Sequence, residues 1–175
     1  MTLYFGQGDG TFVYDQTLAV GGTPGSESAG PVLLQDLNAD GAVDLIVGTT
    51  EVGDAGVSGF LVFLNKNDGS GGFGAPASYA VAGGGGPTAV YDMNGDGTPD
   101  VVGTVAGAAG TYTQVFVMLN QNDGLATFGV PIVCTAGAYA YNATAGDLNR
   151  DGKGDIVAEN YNGTSPGTIQ VLLGQ

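Results

Sequence analysis

The sequence predicts an all-β chain built as β-propeller blades of four antiparallel strands, in about three repeats that form a partial or oligomer-completed propeller. Three observations predict it. Landmarks recur every 55 or 56 residues, the length of one supersecondary unit in a repeat protein. Of 175 residues 34 are glycine, far above the usual ~7%, and β-branched and aromatic residues lie between them, as in short strands joined by tight turns. No stretch sustains a 3.6-residue apolar period, so helix is expected to be nearly absent. A twisted four-stranded sheet cannot bury both faces alone, so each unit needs neighbours.

The elements follow in order. Residues 1–29 read as an incomplete blade, with TLYFGQGDGTF at 2–12 as a third strand, a turn and the start of a fourth. Residues 30–83 read as a complete blade with strands at 31–35, 44–49, 59–65 and 73–81. Its second strand carries Leu45-Ile46-Val47, an apolar run suited to a strand covered on both faces. The turn at Asn67-Asp68-Gly69 uses residues that accept positive φ cheaply. Residues 84–138 repeat the plan: Asn65-Lys66-Asn67-Asp68-Gly69 returns as Asn120-Gln121-Asn122-Asp123-Gly124, and Phe73-Gly74-Ala75-Pro76 as Phe128-Gly129-Val130-Pro131. Residues 139–175 read as strands one to three of a further blade, ending in IQVLLGQ at 169–175. A β-sandwich would not explain this strict repeat.

Propellers take roughly four to eight blades. Closing a ring therefore calls for neighbouring blades, supplied by a longer chain or by a homo-oligomer such as a six-bladed dimer with spare strands. Strand-like sequence begins directly after Met1, so the start reads as a fragment boundary and no secretion leader is expected within it.

Charge narrows the partners. Seventeen acidic residues face only Lys66, Arg150 and Lys153, for a net charge of −14. Nucleic acid is not an expected partner, because it demands a basic face. No apolar run approaches the ~18 residues of a membrane span, so no membrane insertion is expected. Cations are the natural partners. Cys134 is the single cysteine; it excludes an intrachain disulfide and reads as a buried strand thiol.

Nine of the acidic residues fall into three nonapeptides, DLNADGAVD (36–44), DMNGDGTPD (92–100) and DLNRDGKGD (147–155). In D-x-N-x-D-G-x-x-D, positions 1, 3 and 5 can place oxygens about one point, and glycine at 6 permits the sharp bend. Position 7 offers its backbone carbonyl and position 9 a further carboxylate. A hard cation that takes six to eight oxygens is calcium; magnesium keeps its waters and suits the set less well. The expected ligands are Asp36, Asn38, Asp40, the carbonyl of Ala42 and Asp44. In the second loop they are Asp92, Asn94, Asp96, the carbonyl of Thr98 and Asp100. In the third they are Asp147, Asn149, Asp151, the carbonyl of Lys153 and Asp155. An EF-hand does not fit, because its loop wants a glutamate at position 12, where Val47, Gly103 and Ala158 stand. The bland alternative is that each nonapeptide merely makes an Asx-turn between strands; three copies that keep every aspartate weigh against it.

The three loops, the two Phe-Gly-x-Pro elements and the repeat length together resemble the FG-GAP/VCBS repeats, known from the β-propeller head of integrin α subunits. The resemblance covers essentially the whole chain. It implies calcium in the loop between strands 1 and 2 of each blade, about three ions per chain, and an extracellular or cell-surface location. The first unit departs from it, with Phe12-Val13-Tyr14 in place of the FG-GAP element and no acidic loop.

On this reading the leading function is a calcium-stabilised module for extracellular adhesion or recognition of a protein or carbohydrate. Its candidate recognition loops are residues 20–30, 51–58, 106–113 and 161–167, with Tyr139, Tyr141 and Tyr161 as an aromatic surface or, more blandly, as strand packing. The alternative is a structural repeat segment of a larger surface protein or secreted enzyme, with no ligand or catalysis of its own. An enzyme is not expected. There is no histidine, which excludes a Ser-His-Asp triad and a histidine-ligated zinc. Nothing in the sequence pairs Glu27, Glu51 and Glu159 as glycosidase carboxyls.

Overall fold

The computed structural model of the chain describes residues 1–20, 29–52, 57–106, 112–137, 139–161 and 166–175. Among them every regular element is a strand. Two four-stranded antiparallel sheets form the middle. The first holds β3 (Ala29–Gln35), β4 (Asp44–Val52), β5 (Val57–Phe63) and β6 (Ala77–Ala80) in sequence order. The second holds β7 (Gly85–Tyr91), β8 (Asp100–Ala106), β9 (Tyr112–Met118) and β10 (Ile132–Thr135) in the same up-and-down order. Before them β1 (Thr2–Gly6) and β2 (Phe12–Thr17) make a two-stranded sheet; after them β11 (Ala140–Gly146), β12 (Asp155–Asn160) and β13 (Thr168–Leu172) make a three-stranded one. The architecture is all-β and consistent with partial propeller blades.

The second strand of each full sheet is its most deeply buried. Leu45, Ile46 and Val47 on β4, and Val101 and Val102 on β8, are all buried, because sheets cover both of their faces. The sheets stack in series through three apolar cores. The first sheet meets the second through Ile46, Phe60 and Val62 against Val101, Phe116 and Met118. The second meets the third through Val102, Val115 and Val117 against Ala143, Ile156 and Ala158. On its other side the first sheet packs Leu45, Val47, Leu61 and Phe63 under Met1, Leu3, Leu18 and Val20.

The fourth strand is shorter than expected. Phe73 makes only an isolated bridge to Asn65, and Phe128 one to Asn120. Regular pairing resumes at Ala77 and Ile132. Pro76 and Pro131 cause the gap, since proline has no N–H to give a ladder. The phenylalanines work as side chains instead. Phe128 stands edge-on to Tyr79 at 5.2 Å between ring centres, and the Tyr79 hydroxyl donates to the Ala126 carbonyl at 3.2 Å, pinning the first sheet to the second. The third strand ends at Phe63, short of residue 65, and the last strand ends at Leu172. Cys134, on β10, is half-buried rather than buried, because it lies on the outermost strand of its sheet.

Candidate metal centre

Each acidic nonapeptide joins the first strand of a sheet to the second: 36–44 follows β3, 92–100 follows β7, and 147–155 follows β11. The bend at position 6 falls on Gly41, Gly97 and Gly152, with φ of 88°, 87° and 83°. Position 4 is left-handed as well, at Ala39 (φ 61°), Gly95 (75°) and Arg150 (65°). Sequence spacing gives no hint of this second demand, because only one of the three loops has glycine there.

The first aspartate closes the loop on itself. Asp92 Oδ1 accepts the N–H groups of Gly95 and Asp96 at 2.8 and 3.1 Å, and Oδ2 that of Gly97 at 2.8 Å. Asp147 repeats the pattern with Arg150, Asp151 and Gly152. Positions 3 and 5 are tied together: the Asn38, Asn94 and Asn149 amides donate to Asp40, Asp96 and Asp151 at 3.0, 2.9 and 2.9 Å. The fifth-position carboxylates in turn accept the N–H groups of Ala42, Thr98 and Lys153. These bonds hold the Asp96 carboxyl below the usual range, chiefly through the Thr98 hydroxyl, and that of Asp151 likewise, chiefly through the Lys153 N–H.

The ninth position does something that the spacing did not reveal. Asp44, Asp100 and Asp155 are completely buried, and each brackets two pieces of backbone. Asp44 accepts from Leu37 N at 2.9 Å and Asn65 N at 2.8 Å. Asp100 accepts from Met93 N and Asn120 N, both at 2.8 Å. Asp155 accepts from Leu148 N at 2.9 Å and Gly174 N at 2.8 Å. Every bracket ties the loop to the end of the third strand. Burial pushes the carboxyls of Asp44 and Asp100 up, against these hydrogen bonds, and the neighbouring first- and fifth-position aspartates add to the rise. A raised carboxyl favours the native state while protonated. Without a cation, its contribution is therefore lost as pH climbs through the folded-state pKa.

Among the described residues no three or more His, Cys, Asp and Glu side chains gather into a metal cage by themselves. The expected donor set does not rest on carboxylates alone, since each loop also offers an asparagine oxygen and a backbone carbonyl. One observation in the first loop fits a cation. Asp36 Oδ2 accepts from Gly41 N at 2.9 Å, while Asp36 Oδ1 is buried with no hydrogen-bond partner at all. A buried, unpaired carboxylate oxygen is costly, and a divalent ion would satisfy it. The residues that would hold such an ion are those named from the sequence, all of them oxygen donors. Bound there, calcium would supply positive charge that turns repulsion between neighbouring carboxylates into attraction.

Sequence reasoning missed two further participants. Asn120, read as turn chemistry, is buried; its amide donates to Leu37 O at 2.8 Å and Pro99 O at 3.3 Å, so it reaches back to the acidic loop of the preceding sheet. Leu37, the second residue of that loop, is buried in the core between the first two sheets. The recurrence of asparagine at 65 and 120 was the available signal for the first. Of the tyrosines, Tyr139 and Tyr141 stack with ring centres 6.5 Å apart, while Tyr141 and Tyr161 are exposed. The candidate recognition loops lie largely outside the described residues.

A search of curated proteins returns no match to this chain. The sequence does match the FG-GAP-like repeat over residues 36–103 and again over 92–158. Each matched stretch begins on the first aspartate of an acidic nonapeptide and runs into the second strand of the following sheet. The matches jointly cover well over half of the chain, and it belongs to the FG-GAP-like repeat family.

Proposed function

We propose that the chain is a calcium-binding, calcium-stabilised repeat module that serves extracellular adhesion or recognition of a protein or carbohydrate, without catalysis of its own. The observation that carries the calcium reading is the buried, unpartnered Asp36 Oδ1 in a loop whose remaining donors are all oxygens. The loop sequence recurs three times, and the net charge of −14 would fall to about −8 with three ions bound.

Extracellular calcium modules bind with dissociation constants of ~10⁻⁴–10⁻³ M. An extracellular location would supply free calcium of about 1 mM, enough to fill sites of that strength. At 1 mM calcium and a constant of ~10⁻⁴ M each site adds roughly 1.4 kcal/mol. Three sites add roughly 4 kcal/mol, a large share of a domain's net stability.

Calorimetric titration of the chelator-treated chain tests this reading. It should give about three calcium ions per chain, and Asp36→Asn should weaken one of them while leaving the others in place. A chain that takes up no calcium at millimolar concentration would overturn it.

A further inference from the structure

The three acidic loops share one backbone. Positions 4 and 6 are left-handed in each, and the third- and fifth-position side chains are tied together at 3.0, 2.9 and 2.9 Å. Their charges differ. The first and second loops each hold three aspartates and no cation, a formal charge of −3, whereas Arg150 and Lys153 reduce that of the third to −1. The Lys153 charge is felt at the site: the Lys153 N–H and the Asn149 amide lower the Asp151 carboxyl, and the Lys153 ammonium lowers it further. Calcium affinity in oxygen-donor loops follows ligand charge. Against a doubly charged ion, each cation within a Debye length weakens binding by roughly two- to fivefold, and the pair by about tenfold.

The first-position aspartates also set the first loop apart. Asp36 Oδ1 has no hydrogen-bond partner. Asp92 Oδ1 accepts two N–H groups, from Gly95 and Asp96, and Asp147 Oδ1 accepts two, from Arg150 and Asp151. A carboxylate has about four acceptor sites over its two oxygens. An ion entering the second or third loop therefore competes with backbone donors for an oxygen that stands open in the first.

The third loop also fastens the third sheet to the second. Asp147 N donates to the Tyr91 hydroxyl at 3.2 Å, and Gly154 N donates to Met93 O at 3.1 Å. Met93 packs against the core between those sheets, and a Cβ added at Gly154 would lie 2.5 Å from Met93 Sδ. These contacts leave from the two ends of the expected ligand set, Asp147 itself and the residue before Asp155. The first loop is fastened separately, through the Asn120 amide on Leu37 O.

We propose that the three calcium sites fill in chain order, the first loop most tightly and the third most weakly, and that the third is a calcium-responsive latch between the second and third sheets. This rests on the calcium reading above. A tenfold gap lets the third site empty while the first stays filled, so falling calcium loosens the third sheet and leaves the first two joined.

Calorimetric calcium titration of the 175-residue chain, with hydrogen exchange followed by mass spectrometry over the same calcium series, tests this. Wild type should show a weakest site about tenfold below the tightest, a gap that narrows as salt rises. Asp36→Asn should remove a tight site and Asp147→Asn the weakest. Lys153→Gln keeps the carbonyl ligand and Arg150→Asn suits a left-handed residue, so the double variant alters charge alone; it should raise the weakest site about tenfold. As calcium falls, β11 and β12 should lose exchange protection before β4 and β8, and the double variant should hold that protection to lower calcium. Three ions of equal affinity, a double variant whose weakest site is unchanged, or sheets that open together overturn this proposal alone. No calcium uptake overturns it together with the calcium reading.

Discussion

The carboxylate of Asp100 has no exposure and accepts one N–H on each oxygen, from Met93 and Asn120. It would thus bind a cation with lone pairs left over from a structural task, since a carboxylate has about four acceptor sites. Asp100→Ala orphans two buried donors and should cost about 2–5 kcal/mol even in excess chelator, read by urea denaturation. A variant that loses stability only when calcium is present would show that the bracket carries no weight. Ala39 tests the loop backbone. It holds φ at 61° where Gly95 stands in the second loop, and a left-handed alanine is strained by roughly 1–2 kcal/mol. Ala39→Gly relieves that strain and gives back part of it as unfolded-chain entropy, so it should stabilise the chain by up to ~1 kcal/mol. A loss of stability on this change would contradict the account.

At the scale of elements, the strands were legible because their signals are local: apolar runs for β4 and β8, Asn-Asp-Gly turns, and a fixed period. The fourth strand was overread because Phe73 and Phe128 look like strand residues, while the prolines three positions later interrupt the pairing. The links between sheets were not legible, since they join residues far apart in sequence. Asn120 shows this best: its amide reaches Leu37 O, whereas the matching Asn65 amide reaches only Val43 O at 3.2 Å within its own sheet. Asn120→Ala should therefore cost about 1–3 kcal/mol, and Asn65→Ala clearly less. Equal losses in parallel denaturation curves would mean that the contact between sheets adds nothing.

Over the whole molecule, stability comes from sheets stacked in series, each relying on its neighbours for burial. The acidic loops sit at the same corner of the three larger sheets, and Leu37 and Met93 pack into the cores between sheets. Neutralising a loop should then steady a junction as well as a turn. The candidate ligands were readable because three aspartates cannot be crowded into nine residues without a reason. The structural duty of the ninth aspartate was hidden, because spacing records which side chains are close and says nothing of which backbone groups need them. The most direct measurement is the melting temperature of the chain in about 1 mM calcium and in excess chelator, with magnesium as the control. A marked fall on chelation, restored by calcium and poorly by magnesium, is the predicted result; an unchanged melt would contradict the claim that these loops are held together by bound calcium.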